Sequence, residues 1–189
     1  MNEIEKAAEV LRGGGVVVYP TDTLYALGAS IYDEDAVKRV YEIKRRPPSM
    51  HMPVAVGSVD LIESVAVMNG NARKIARKFL PGALTLVMEK REDVPETVAG
   101  EKIAVRVPDC DAALELASLA GPITATSANI HGMEEPSDVE ISRKQLGGMA
   151  DIYIDGGELG GIPSTIVDVS GGEIRIIREG TIGKERLHE

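Results

Sequence analysis

The sequence of 189 residues has few of the residues on which several classes of protein depend. It contains one cysteine, Cys110, and three histidines, which excludes an internal disulfide framework and gives no pattern for a zinc cluster. With one phenylalanine, five tyrosines and no tryptophan, stacking platforms for single-stranded nucleic acid are scarce. The 21 basic and 30 acidic residues give a net charge of -9, which opposes a general affinity for nucleic acid or anionic membranes.

Signals for membrane insertion and export are also missing. No hydrophobic run approaches the length of a membrane span, and Met1 to Lys6 lack the basic and apolar pattern of a secretion signal. We therefore expect a cytoplasmic protein with no membrane partner. Because 43% of the residues are hydrophobic, the chain can bury one substantial core, and we expect a single domain over residues 1–189.

Short apolar runs alternate along the chain with segments of helical periodicity. The helical spacing covers residues 4–11, 36–44, 71–79 and 112–119, and Ser58 can cap a further helix that carries Leu61 and Ile62. The apolar runs predict strands over residues 16–19, 54–56, 84–88, 103–107, 122–126, 151–154, 164–169 and 174–178. This mixture favours an α/β fold with one twisted, mixed sheet flanked by helices.

Three consecutive cations, Lys44-Arg45-Arg46, end the second predicted helix just before Pro47 and Pro48. On a continuing helix Lys44 and Arg46 would point in different directions. Because the prolines force the chain to extend, both side chains can instead project to one side, with Arg45 pointing away. A compact ammonium beside a planar guanidinium suits a triphosphate. The alternative is a solvated helix end, where cations are favoured by the helix dipole.

Arg106 stands in the middle of an otherwise apolar predicted strand. An arginine is rarely buried without an anion or carboxylate partner, so the pattern favours a position facing a cleft. Polar loops follow several predicted strands, and ligands of open α/β sheets bind at such strand ends. Those loops are residues 20–23, 126–129, 163–165 and 178–180.

Two of these loops have an equally good structural explanation. Thr21 and Thr23 could close a turn by hydrogen bonds from their side chains to the backbone. Ser127 and Asn129 could form a helix cap and a turn. The common phosphate-loop, dinucleotide, zinc-protease and nucleophile-elbow motifs do not occur in the sequence.

Taken together and in order, seven segments resemble the YrdC-like family of threonylcarbamoyl-AMP synthases. The resemblance covers nearly the whole chain from Ala7 to Gly180, and seven ordered matches are far more specific than one. The segments are GVVVYPTDTLYALG at 15–28, EIKRRP at 42–47, FLPGALTLV at 79–87, IAVRVP at 103–108, TSAN at 126–129, PSTIVD at 163–168 and IIREG at 176–180.

The resemblance implies an α/β fold of the YrdC type around a cationic cleft, in its minimal, single-domain form. It also implies a reaction that joins L-threonine, bicarbonate or CO2, and ATP into threonylcarbamoyl-adenylate and releases pyrophosphate. A downstream threonylcarbamoyl-transferase complex would then modify an adenosine beside the tRNA anticodon, and direct contact with tRNA is possible. Mg2+ would be bound mainly through the ATP phosphates, with no metal ligands assigned to the chain.

Residue by residue, the resemblance assigns two sets of binding positions. It implies that Lys44 and Arg46 are catalytic. The ATP set is Lys44, Arg46, Ser127, Asn129, Ser137 and Arg178, in which Ser137 is the looser match. The L-threonine set is Thr23, Arg106, Ala125 and Ser164. No histidine or cysteine is required, because forming a carbamate and attacking a phosphate need positioning and charge neutralisation more than a nucleophile.

Three positions depart from the family pattern. Ala26 replaces a glycine, which is tolerated if its φ is negative. Ala55 stands where longer members have a histidine that contacts threonine, and Met50 replaces a polar residue that contacts nucleotide. The sequence therefore leaves two alternatives open: a paralogue that makes another carbamoyl-adenylate, and a non-catalytic RNA-binding or tRNA-binding module of the modification machinery.

Overall fold

Helices and strands alternate along residues 1–188, which the computed structural model describes. The helices are α1 (Glu3–Arg12), α2 (Glu34–Lys44), α3 (Gly70–Phe79), α4 (Asp111–Ala120), α5 (Val139–Leu146) and α6 (Lys184–His188). Short 3-10 helices cover Asp60–Ser64 and Gly147–Met149. The strands are β1 (Val17–Tyr19), β2 (Ala26–Gly28), β3 (Val54–Ala55), β4 (Ala66–Val67), β5 (Leu84–Lys90), β6 (Lys102–Arg106), β7 (Ile123–Thr124), β8 (Thr126–Ser127), β9 (Ile152–Tyr153), β10 (Thr165–Asp168) and β11 (Arg175–Arg178).

The strands form two mixed sheets, so the prediction of a single sheet is wrong although the α/β class is confirmed. The smaller sheet has the order β8-β2-β1-β9, and the larger has the order β11-β10-β5-β6-β3-β7 with β4 beside β5. In the smaller sheet β1 runs antiparallel to β2 and parallel to β9, where Val17 pairs with Ile152. Such pairing between short strands far apart in sequence leaves no local pattern, which is why the division was not predicted.

Side chains cap the starts of the first two helices. Asn2 and Glu5 form a reciprocal capping box at the start of α1, and the carboxylate of Asp33 accepts from the Ala36 N–H at the start of α2. The apolar face of α1 packs in one cluster with α4 and β1. Its members include Ala7, Ala8, Leu11, Tyr19, Ala113, Leu116 and Ala117.

The larger sheet separates the main core from a cavity. Along β5, Leu84, Leu86 and Met88 are buried in the core cluster that also contains the apolar face of α3. The intervening Thr85 and Val87 project from the opposite face and line the cavity. Its wall therefore rests on rigid sheet rather than on loops alone. Within residues 1–188 no helix combines the length and apolar character needed to cross a bilayer.

Candidate functional site

The cavity encloses about 520 Å³ and is lined by residues of both sheets. Ala26 and Thr126 contribute from the smaller sheet, and Thr85 and Ala104 from the larger one. Among residues 1–188, the Lys, Arg, Asp and Glu side chains that line it are Lys44, Arg46, Arg106, Arg178 and Glu135. Four of these five side chains are basic, whereas the chain has a net charge of -9, and one of the four, Arg106, is paired with Asp22.

Nine of the ten residues predicted for ATP or threonine lie on this cavity, and Ser137 does not. Ser137 precedes α5, where its backbone carbonyl accepts a hydrogen bond from the Leu159 N–H at 2.8 Å. Ala125 lines the cavity, and its N–H donates to the Pro53 carbonyl at 2.7 Å.

Arg45 adopts a left-handed conformation, with φ of 50° and ψ of 39°, and ends α2. The Arg46 N–H donates to the Tyr41 carbonyl at 3.0 Å, so the chain turns sharply at this point. Lys44 and Arg46 consequently line the same cavity while Arg45 is exposed, as predicted. The predicted cause is wrong, because the left-handed residue between them, rather than extension by the prolines, brings these side chains together.

Lys44 is buried, with 1% of its surface exposed, and links the end of α2 to β8 and the loop that follows it. Its Nζ donates to the Ser127 carbonyl, to the Asn129 carbonyl at 2.8 Å and to Asn129 Oδ1 at 3.4 Å. Burial and the nearby Arg46 lower the pKa of Lys44 to about 7, whereas Glu135 opposes this shift. The three acceptors also favour the ammonium, because it has three N–H groups to donate whereas the neutral amine has two.

Arg46 is held against the chain segment that follows it. Its Nε donates to the Met50 carbonyl at 2.7 Å and its Nη2 to the His51 carbonyl at 2.9 Å. Burial lowers the pKa of Arg46, and the main opposing influence is Tyr41. The Met50 side chain is 41% exposed and does not line the cavity, so this departure contributes its backbone rather than its side chain.

Arg106 projects from β6 toward the loop after β1. Its Nη2 donates to Asp22 Oδ1 at 2.5 Å and its Nη1 to Thr23 Oγ1 at 3.0 Å. Burial lowers the pKa of Arg106, and the neighbouring Asp22 carboxylate opposes that effect. The predicted need for an anionic partner is therefore met by Asp22. Asp22 was not among the predicted site residues, although it lies in the candidate loop 20–23 beside the predicted Thr23.

The loop at residues 20–23 combines the two roles that the sequence left open, a wall of a ligand site and a turn closed by side-chain hydrogen bonds. Thr21 Oγ1 closes the turn, because it donates to the Leu24 carbonyl at 2.7 Å and accepts from the Leu24 N–H at 3.2 Å. The same atom lies 3.1 Å from Thr23 Oγ1. Thr21 therefore has the turn role, whereas Thr23 extends the network to Arg106.

A third group of polar residues forms the wall near β10. The hydroxyls of Ser164 and Thr85 lie 2.8 Å apart, and both residues are buried. Arg178, on β11, donates from Nη2 to the Ser164 carbonyl at 2.8 Å. Sequence reasoning missed Thr85, although a threonine within the apolar run Leu84 to Met88 was the available signal.

Residues 9–180 match the family model for Sua5, YciO and YrdC proteins, which carries the description "Telomere recombination". The chain belongs to the Sua5/YciO/YrdC family. The "Putative threonylcarbamoyl-AMP synthase" of Methanocaldococcus jannaschii is 38% identical over 98% of this chain and 91% of its own length. The threonylcarbamoyl-AMP synthase of Pyrococcus abyssi is 36% identical over 99% of this chain.

Solved structures of family members have the same fold. Pyrococcus abyssi Sua5, solved as a complex with L-threonine, superimposes with a TM-score of 0.94 over 98% of this chain. YciO of Escherichia coli, 30% identical, superimposes with a TM-score of 0.88 and is covered over 90% of its length. The chain spans only 56% of the Pyrococcus protein, so it corresponds to about half of that longer family member.

Two of the departures from the family pattern lie within strands. Ala26 is in β2 and does not have a positive φ; among the described non-glycine residues, Arg45 has one. Alanine in place of the family's glycine therefore causes no backbone strain at this position. Ala55 pairs in register with Arg106 and is fully buried. It belongs to the cluster formed by α1, α4 and β1, which also contains Tyr19 and Ala125. Its methyl group therefore fills space next to Arg106 without lining the cavity.

Proposed function

We propose that this family member makes threonylcarbamoyl-adenylate from ATP, L-threonine and bicarbonate or CO2, with release of pyrophosphate. The observation that carries the proposal is that one cavity is lined by all four residues of the predicted threonine set and by five of the six of the predicted ATP set. Lys44, Arg46 and Arg178 contribute charge for phosphates, and Arg106 with Thr23 contributes an ordered donor and hydroxyl for an amino acid. The synthase names of the two archaeal relatives support the same reaction.

The reaction has two bond-forming steps that need no nucleophile from the protein. The threonine amine adds to CO2 and loses a proton, which gives a carbamate. A carbamate oxygen then attacks the α-phosphorus of ATP, the bond to the bridging oxygen breaks, and that oxygen leaves with pyrophosphate. Both steps are accelerated by alignment of the reactants and by cations that stabilise the charge on the phosphates.

The ATP phosphates would be held near the end of α2. Lys44 is fixed by the carbonyl oxygens of Ser127 and Asn129, so it would act as a positioned charge that needs little reorganisation. Arg46 and Arg178 offer planar guanidinium groups for phosphate oxygens. Ser127 and Asn129 would complete this part of the site.

Threonine would lie against the opposite wall, between Arg106 and Ser164. The Arg106 guanidinium, oriented by Asp22 and Thr23, would bind the threonine carboxylate, and its buried Nε has no hydrogen-bond partner among the described residues. The backbone beside Ala125 and the Ser164 hydroxyl would contact the rest of the amino acid. This arrangement would place the amine between the amino-acid and phosphate subsites.

Mg2+ would enter with ATP, because it retains water and usually binds through substrate phosphates and one or two protein oxygens. Asn129 Oδ1, the Ser127 hydroxyl and Glu135 are oxygen donors among the residues that line the cavity with Lys44 and Arg46, and their chemistry fits this role. The bound ion would neutralise charge on the phosphates and pyrophosphate. In the cytoplasm, a threonylcarbamoyl-transferase complex would then use the product to modify tRNA.

Pyrophosphate release tests the proposal directly. Purified protein is incubated with ATP, Mg2+, bicarbonate and threonine, and each component is omitted in turn while the adenylate is identified by mass spectrometry. We expect release to require threonine and to be lost in the Lys44→Ala/Arg46→Ala variant. Arg45→Gln is the matched control, because Arg45 is exposed and does not line the cavity.

Two results would contradict the proposal. Pyrophosphate release that does not exceed that of the double variant would exclude the synthase activity. Release that proceeds equally with serine or without an amino acid would instead favour a paralogue with another substrate, the alternative for which Ala55 provides a reason.

A further inference from the structure

Helix α3 carries a concentrated basic surface on an acidic protein. Its ten residues, GNARKIARKF, include four cations and no acidic residue, whereas the whole chain has a net charge of -9. All four cations are exposed. They form the basic face of α3, which consists of Arg73, Lys74, Arg77 and Lys78.

The basic face lies on the other side of the larger sheet from the cavity. The opposite side of α3 is buried in the main core with Leu84 and Leu86 of β5, and the alternate residues Thr85 and Val87 line the cavity. The basic face is therefore not an extension of the proposed ATP site. An anion bound there would not compete with substrates for Lys44 or Arg46.

Few groups of the protein neutralise these cations. Arg73 forms an ion pair with Glu63, in which both side chains are 49% exposed. Lys74 and Arg77 form no ion pair or side-chain hydrogen bond within residues 1–188. Neighbouring cations without partners repel one another, so an external polyanion would stabilise this surface.

A second element adds positive charge at the end of the same helix. Lys78 Nζ lies 5.2 Å from the centroid of the Phe79 ring, and the guanidinium carbon of Arg186 lies 5.8 Å from it. The cation from α6 therefore extends the basic face beyond α3.

The cations of α3 are regularly spaced. Arg73 and Arg77, like Lys74 and Lys78, are four residues apart, so each pair is separated by about 6 Å along the helix.

We propose that the basic face of α3 binds the phosphate backbone of RNA. This proposal rests on the proposed function in one respect, the choice of tRNA as the RNA, because the product of the proposed reaction would be used to modify tRNA. An interfacial membrane helix inserts its apolar face into lipid, but the apolar residues of α3, including Ile75 and Phe79, are buried in the core. Rows of arginine and lysine are typical of contacts to nucleic-acid phosphates.

Binding of tRNA in the absence of ATP and threonine tests this surface. The variant Lys74→Glu/Arg77→Glu reverses the two cations without partners, and Lys6→Glu/Lys144→Glu makes the same charge change at exposed positions on α1 and α5. At about 0.1 M salt we expect the α3 variant to bind tRNA about tenfold more weakly and the control to bind nearly as tightly as the unaltered protein. A plot of the logarithm of the association constant against the logarithm of the salt concentration has a negative slope, and the magnitude of this slope should decrease by about 2 in the α3 variant.

Equal loss of tRNA affinity in both variants would overturn the proposal, since it would indicate a response to net charge alone. Binding of the unaltered protein to phosphatidylserine vesicles but not to tRNA would also overturn it. Pyrophosphate release by the α3 variant distinguishes the two proposals, because we expect it to equal that of the unaltered protein. Absence of release from the unaltered protein would refute the synthase proposal and leave the tRNA measurement unaffected.

Discussion

The guanidinium of Arg106 is fixed by the carboxylate of Asp22, with 2.5 Å between Nη2 and Oδ1. The side chains are only 7% and 13% exposed. Thr23, the next residue in the loop, accepts a second hydrogen bond from Arg106. One short loop after β1 thus both neutralises the buried cation and determines how it is presented to the cavity.

Removing the Asp22 carboxylate should destabilise the protein strongly. The Asp22→Ala variant leaves Arg106 buried without a charge partner, which typically costs about 3–5 kcal/mol. Asp93→Ala is the matched control, because Asp93 pairs with Arg91 at a site where both side chains are more than half exposed, and such pairs contribute about 0–1 kcal/mol. Urea denaturation measures both effects. Equal losses of unfolding free energy would show that the buried pair has no special structural role.

The same pair gives a kinetic prediction through the conservative variant Asp22→Asn. Asn retains an oxygen toward Arg106 but removes the negative charge, so the guanidinium should be held less firmly. We expect a higher KM for threonine with a nearly unchanged KM for ATP, because Asp22 contacts Arg106 rather than the proposed phosphate subsite. Initial rates of pyrophosphate release measure both constants. A rise confined to the KM for ATP would contradict the assignment of Arg106 to threonine.

The left-handed conformation of Arg45 gives a stability prediction with the opposite sign. For a residue with a Cβ atom this conformation costs about 1 kcal/mol, whereas glycine adopts it readily. Arg45→Gly should therefore raise the free energy of unfolding by about 1 kcal/mol. Arg45→Gln retains the Cβ atom and should change it by less than about 0.5 kcal/mol. A destabilised glycine variant would show that the arginine side chain, rather than the backbone, stabilises this helix end.

Local chemistry explains why most helices and strands were predictable. The helix α2 has an aspartate cap and an apolar stripe, and β5 is an apolar run that begins shortly after a proline and a glycine. The omission of α5 is instructive, because Asp138 caps it and its buried residues Val139, Ser142 and Leu146 have helical spacing. Those signals were present, but a serine in the buried stripe weakened the apolar pattern.

A site residue was predictable where few structural roles could account for its residue type at that position. An arginine in an apolar strand needs a partner, and Arg106 has one in Asp22. The sequence could not identify that partner, because 84 positions separate the two residues. The same limit applies to the contact between Lys44 and the loop at Ser127, since an interaction of this kind depends on which strands are paired in the folded chain.

Gly180 permits a close approach that supports the wall at Ser164. Its N–H donates to Thr165 Oγ1 at 2.9 Å, and a Cβ atom at this position would overlap the Pro163 carbonyl and lie 2.7 Å from Ser164 C. Gly180→Ala should therefore cost about 1–3 kcal/mol of stability and raise the KM for threonine by displacing Ser164. Gly172→Ala is the control, because a Cβ atom there would meet no atom of residues 1–188 within 4 Å. Similar results for both variants would exclude a packing role for Gly180.

The protonation of Lys44 should be coupled to ATP binding. Burial and Arg46 lower its pKa to about 7, so in the free protein a growing fraction of the amine is neutral as the pH rises above 7. Phosphates favour the ammonium, and bound ATP should therefore raise the pKa again. In the interval between these two pKa values, the complex holds more protons on Lys44 than the free protein, and binding takes up protons from solution.

Calorimetry at pH 6 and pH 8, in buffers with different ionisation enthalpies, measures this proton uptake. We expect ATP binding to take up as many as about one proton at pH 8 and close to none at pH 6, where Lys44 is already charged. Lys44→Met should abolish the uptake at pH 8, whereas Lys38→Met, which alters an exposed lysine paired with Asp35, should leave it unchanged. Because the ammonium must be restored before it can attract phosphate, the affinity for ATP should also decrease as the pH rises above 7. Uptake that persists in Lys44→Met would assign the proton to another group and refute the role of Lys44 as a charge that responds to the nucleotide.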